Sequence, residues 1–113
     1  MENNPELGKT STGIEPKVAA LLSYLVGWVT GLIFFLIEKD NKYVRFHAFQ
    51  SMVVFGALTV LSIILVMIPV IGWALIPIVN IAGLILWITL MIKAYQGEKL
   101  KLPVAGDMAE KNA

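Results

Sequence analysis

Most of the side chains that could do chemistry beside an apolar stretch lie in one run, Tyr43-Val44-Arg45-Phe46-His47-Ala48-Phe49-Gln50-Ser51. On a helix His47, Gln50 and Ser51 stand at i, i+3 and i+4 and share one face, while Arg45 and Phe49 share another. An imidazole, an amide and a hydroxyl grouped this way can bind a lipid headgroup, contact a partner helix or line an aqueous vestibule. They can equally anchor the helix at an interface, with the histidine bridging its neighbours. Arg45 would lie at headgroup depth, its stem along the helix and its guanidinium in the polar layer.

Asn80 is the second polar outlier, alone in a long uncharged stretch. Hydrocarbon offers an amide no partner, so the expectation is a bond across to Thr59 or Ser62. Gly27 and Gly31 form a small-xxx-small pair that lets another helix approach closely, as a seam between copies or within one chain. Gly56, Ala57, Ala82 and Gly83 offer similar close contacts. His47 is the only histidine and there is no cysteine, which removes thiolate metal sites, disulfides and cysteine nucleophiles. No acidic side chain falls inside an apolar run, and no arrangement of residues makes an enzyme centre or calls for a cofactor.

These groups must be positioned by elements that the charge pattern reveals. No charged residue occurs between Lys17 and Glu38, nor between Arg45 and Lys93. Hydrophobic residues make up 58% of the 113 positions and charged residues 15%, against about 25% charged in soluble domains. The first run, Val18 to Ile37, reads as one helix of about 30 Å, the thickness of a bilayer core. Glu15 and Pro16 suit its start. Residues 38–42 form a polar turn in which Asp40 or Asn41 can cap the next helix, which can begin near Tyr43. The uncharged stretch from Ala48 to Ile92 is long enough for two spans, expected at about 52–71 and 73–92, divided around Ile68 to Gly72. A re-entrant pair of half-helices near Pro69 and Pro77 is the alternative there.

The expected fold is therefore all-α: a polytopic membrane protein with a compact bundle of three transmembrane helices over 17–96. A flexible polar arm over 1–16 precedes it. A polar tail over 97–113 follows, in which Lys99-Leu100-Lys101-Leu102-Pro103-Val104 alternates basic and apolar residues. Three spans put the ends on opposite sides. Lys39, Lys42, Arg45, Lys93, Lys99, Lys101 and Lys111 outnumber Lys9 and Lys17, so the positive-inside rule places the 38–50 loop and C-terminus in the cytoplasm and the N-terminus outside the cell membrane. A formal charge of +1 argues against a nucleic-acid partner.

The chain resembles a family of small uncharacterised bacterial and archaeal multipass membrane proteins, itself similar to the chloroplast inner-envelope protein-import channel component. The resemblance rests on Leu22-Ser23-Tyr24-Leu25, on Glu38-Lys39 through Arg45-Phe46-His47-Ala48-Phe49-Gln50-Ser51, and on Ala94-Tyr95-Gln96-Gly97 through Leu102-Pro103. It implies a bundle of membrane helices without an assigned reaction. The expected function is that of an interaction or scaffold protein contacting membrane lipids, a second copy or another membrane protein. The alternative is a subunit of an oligomeric pore, transporter or protein-translocation assembly.

Overall fold

Gly27 decides the shape of the first apolar run. The computed structural model describes residues 8–113, and in it this run forms two ten-residue helices, α1 (Pro16–Leu25) and α2 (Trp28–Ile37). Between them Gly27 takes φ 58° and ψ −130°, a backbone conformation that a Cβ resists. The chain folds back there, and α1 and α2 lie side by side as a hairpin. Its open end is tied by the Ser11 backbone amide and hydroxyl, which donate to the Glu38 carboxylate at 2.8 and 2.7 Å.

The expectation of a single spanning helix over 18–37 is thereby corrected. Each arm of the hairpin is about 15 Å long, half the hydrocarbon thickness. The segment enters and returns to the end it came from. The expected three-span bundle required an unbroken helix over this run, whereas the chain breaks at Gly27 into α1 and α2. Residues 1–7 of the expected arm lie outside the described residues.

Among the described residues two helices are long and apolar enough to cross a membrane, α3 (Lys42–Val66) and α4 (Ile71–Tyr95). Asn41 caps α3, its side-chain oxygen accepting the Val44 amide at 3.0 Å. The turn between α3 and α4 is short: Ile71 donates to the Pro69 carbonyl at 2.8 Å, and the Trp73 indole donates to the Val66 carbonyl at 2.9 Å. Pro69 sits in that turn and Pro77 lies inside α4. The re-entrant geometry weighed for this region belongs instead to the first run.

The hairpin packs against only one half of the α3–α4 pair. Gly31 is the closest approach. A Cβ there would sit 2.8 Å from the Ala48 carbonyl oxygen and 3.0 Å from the Ser51 Cβ, so α2 meets α3 nearly backbone to backbone. Phe35 packs on Phe49 with ring centroids 5.4 Å apart. On the other side α1 joins Ala20 and Tyr24 to Tyr43, Leu90 and Ala94, while Ala19, Phe34, Val44 and Ala48 fill the seam with α2.

Beyond Gln96 the chain is not a free polar tail. Leu100 and Leu102 pack on the Tyr24–Leu90 cluster, and a fifth helix, α5 (Ala105–Asn112), packs against α3. The described N-terminal residues, the 38–42 turn and the C-terminal segment therefore share one end of the bundle. Every charged side chain among the described residues lies at that end.

The glycine seam makes a direct prediction. Gly31→Ala forces its methyl against backbone and is expected to lower stability by about 1–3 kcal/mol. Gly83→Ala meets only the Leu58 Cδ1 at 3.4 Å and is expected to be close to neutral. Thermal unfolding of both variants in one detergent checks the contrast.

Candidate functional site

Seven polar groups from three parts of the chain meet where α1, α3 and the C-terminal segment cross. Tyr24, His47, Gln50 and Ser51 are fully buried. His47 Nε2 lies 3.0 Å from the Glu98 carbonyl oxygen, which can only accept, so that nitrogen carries the proton and donates. The neutral ring's Nδ1 is then an acceptor, and the Tyr24 hydroxyl donates to it at 2.6 Å. Gln50 Nε2 donates to the Tyr24 oxygen at 3.0 Å and to the Leu100 carbonyl at 2.9 Å. Its Oε1 accepts the Leu102 amide at 3.0 Å. One consistent set of donors and acceptors results.

The neighbouring side chains complete this arrangement. The Tyr43 hydroxyl donates to the Ala94 carbonyl at 2.6 Å. Rings of Tyr24, Tyr43 and Phe46 stand edge-on to the His47 imidazole at centroid distances of 5.3, 4.7 and 5.2 Å. Arg45 faces away from the cluster. Its guanidinium donates to the Phe35 and Glu38 carbonyls at 2.9 and 2.8 Å and lies 4.1 Å over the Phe35 ring, which closes the end of α2. His47, Gln50 and Ser51 thus share a face as their spacing predicts, and their hydrogen bonds run to this chain.

Ser51 serves the hairpin tip. Its hydroxyl donates to the Gly27 carbonyl at 2.8 Å. Thr30 accepts the Val26 amide and donates to the Ser23 carbonyl, both at 3.1 Å. The Trp87 indole donates to the Tyr24 carbonyl at 2.6 Å. Backbone groups freed by the chain reversal are therefore met by side chains, which hydrocarbon could not do.

Thr30 and Trp87 have no role in the sequence reading, and Tyr24 and Glu38 enter it only through the resemblance and the 38–42 turn, not as site residues. Tyr24 and Thr30 were the detectable ones, since each places a hydroxyl inside an apolar run. Trp87 reads as an ordinary lipid-facing aromatic until Gly27 is known to turn. Glu38 reads as a solvated loop charge, but it is fully buried. Burial pushes its carboxyl up. The hydroxyl and amide of Ser11 and the amides of Asn41 and Asp40 outweigh that and hold it down at about 2.

Above the hairpin tip α3 and α4 continue without it. The space left there is an open recess of about 760 Å³. Trp28, Leu58, Val79 and Leu84 contribute apolar surface, and Thr59, Ser62 and Asn80 supply polar atoms. Thr59 donates to its own helix, at the Phe55 carbonyl, at 2.8 Å. Among the described residues the Asn80 amide makes no hydrogen bond, to Ser62, Thr59 or any other group. Asn80 lies nine residues into α4, about 14 Å along the helix from the α3–α4 turn. No group of three or more His, Cys, Asp or Glu side chains able to hold a metal ion occurs among the described residues.

Two long apolar helices, a short helical hairpin and a sealed polar cluster fit an all-α, multi-pass integral membrane protein. The chain belongs to the magnetosome magnetite crystal formation protein family, which it matches over residues 14–109. A UPF0132 membrane protein of Methanocaldococcus jannaschii is 55% identical over 104 residues, covering 92% of this chain and 94% of the relative. A second from the same organism is 48% identical over 99 residues, with 88% and 71% covered. One from Archaeoglobus fulgidus is 48% identical over 97 residues, with 86% and 94% covered. These relatives are named as membrane proteins and not as enzymes. No solved structure matches the chain.

The Glu38 site sets a pH dependence. A carboxyl held at about 2 when folded and at its ordinary 4.5 when unfolded contributes stability that is complete above pH 4.5 and fades as pH falls toward 2. Glu38→Gln is expected to lower stability at neutral pH by about 2 kcal/mol and to flatten the acid limb. Denaturation midpoints of both proteins between those pH values test it.

Proposed function

We propose that this chain is a non-enzymatic interaction protein of the membrane, whose docking site is the recess above the hairpin. The observation that carries the reading is the Asn80 amide, unbonded within the described chain about 14 Å along α4 from the turn. A lipid tail can cover the apolar lining and leaves the amide unsatisfied. A membrane-protein partner that presents a polar group at this depth satisfies both. The Arg45–Ser51 run is in this reading an internal clamp that holds hairpin and tail in place for docking.

We place both described ends in the cytoplasm. All nine lysines and arginines, from Lys9 to Lys111, lie at the end of the bundle that carries the 38–42 turn, and the opposite turn at 67–70 has none. This replaces the external N-terminus expected from three spans. Because the chain contains no cysteine, single substitutions report sidedness without background. An impermeant thiol reagent applied to intact cells is expected to leave K9C, K39C and K101C unlabelled and to label V70C. Labelling K9C alone among the first three would restore the three-span topology.

The family description names magnetite crystal formation. Membrane residence rests on the relatives' names and on the two long apolar helices, and the carboxylates of Glu38, Glu98, Asp107 and Glu110 are engaged within the chain. A translocation role, which the resemblance to the import component would imply, draws no support from the relatives, which are named only as membrane proteins. A polar route through the wider end would meet the Tyr24–His47–Gln50 cluster, whose groups are bonded to one another.

A photoreactive amino acid at Leu84, which lines the recess and leaves the Asn80 amide in place, tests the docking site. In native membranes it is expected to give a discrete protein adduct, while the same residue at Ile85, which is 60% exposed and outside the recess, gives only lipid adducts. Lipid adducts alone at both positions would reject the docking site.

A further inference from the structure

The hairpin makes the two halves of the molecule unequal in width. At the charged end α1, α2, α3 and α4 run side by side, with the 98–102 segment and α5 packed on them. At the other end only α3 and α4 remain. Burial records the change along one helix. Tyr43, Val44, Phe46, His47, Ala48, Gln50 and Ser51 are buried in the first part of α3, whereas Val60, Leu61, Ile63, Ile64 and Val66 are exposed near its end. A helix with its side chains is about 10 Å across, so the hairpin roughly doubles the helical cross-section in one leaflet.

From this geometry we infer that the protein is a wedge that responds to membrane curvature. Its charged end takes more area in its leaflet than the α3–α4 turn takes in the other. A flat bilayer must strain to seal around such a body, and bending toward the narrow end relieves the strain. The favoured setting is a membrane whose convex surface carries the charged end. The taper is rigid for three reasons visible in the structure. Gly31 seats α2 against α3 without intervening side chains. Ser51, Thr30 and Trp87 bind the hairpin tip. Glu38 ties the hairpin's open end to Ser11. A wedge held at its tip, its seam and its base transmits its shape to the surrounding lipid.

This activity goes beyond the docking reading and is separable from it. A partner seated in the recess fills the narrow half, so docking would reduce the taper. Curvature preference is a property of the unoccupied protein.

The test reconstitutes the full chain, carrying K39C, into neutral-lipid vesicles about 30 nm and about 400 nm across. Lys39 is exposed at the charged end, so an impermeant fluorescent thiol reagent counts molecules whose wide end faces outward, and labelling after solubilisation counts the rest. Outward molecules per lipid are expected to be severalfold denser on the small vesicles, and inward molecules correspondingly sparser. Opposite responses of the two orientations identify shape as the cause. Equal densities across sizes, or a parallel rise of both orientations, would overturn the wedge. N80L separates the readings, since it removes the docking amide and leaves the taper. Its curvature response is expected to match that of K39C alone, and its loss would also overturn the inference. If N80L abolishes the protein adduct formed from a photoreactive residue at Leu84 while curvature sorting persists, docking and wedge stand independently.

Discussion

A backbone that turns inside hydrocarbon must satisfy its own polar groups, and much of this structure follows from how residues 23–30 do so. A helix satisfies its amides and carbonyls internally, and a reversal at Gly27 breaks that ladder. The Ser23, Tyr24 and Gly27 carbonyls and the Val26 amide are met by Thr30, Trp87 and Ser51. Two of these three side chains come from other helices. The hairpin therefore exists only in contact with α3 and α4, and its depth in the bundle is set by where Ser51 and Trp87 stand.

The same requirement orders the polar cluster below the tip. Once Tyr24 is held at the level of His47, its hydroxyl must both donate and accept, and Gln50 and the His47 ring supply the two roles. The proton on Nε2 then needs an acceptor on the far side of the ring, which the Glu98 carbonyl provides. Gln50 spends its remaining capacity on Leu100 and Leu102. The C-terminal segment is thus recruited as backbone acceptors and a donor, and its alternating leucines follow into the core. Partly satisfied, such a cluster would destabilise the bundle; fully satisfied, it specifies one register of hairpin, helix and tail.

Helical content, membrane insertion and the polar face of α3 were legible in the sequence because they depend on local periodicity and on charge gaps. Asn41 as a cap and the turn near Pro69 follow from local chemistry in the same way. The hairpin was not legible. Gly27 and Gly31 fit a packing seam within an unbroken helix as well as they fit a turn followed by a close approach. What decides between them is the position of Ser51 and Trp87, 24 and 60 residues further on, and no local pattern encodes that meeting. The charge count depends on the same point: Lys9 and Lys17 fall opposite the other seven basic residues only if the helix between is continuous. Asn80 is anomalous in the sequence; of its two expected partners, Thr59 bonds its own helix, and the absence of a bond to Ser62 has no explanation in the structure.

The break at Gly27 also explains why a small chain can be both sealed and open. Half of α3 is enclosed by the hairpin, and every buried polar group there has a partner within the chain. The other half lacks that enclosure and carries the unbonded amide of Asn80. Had residues 16–37 formed one full-length helix beside α3, its upper half would cover the recess at Thr59, Ser62 and Asn80, and the molecule would have nearly uniform width. The glycine turn thus produces two features together, a recess with a polar group in its lining and a body wider at its charged end. Sequence changes that straighten the first run should remove both, whereas changes confined to Asn80 alter the recess and leave the shape. Docking and curvature sensing then share one structural origin and remain separable in their chemistry.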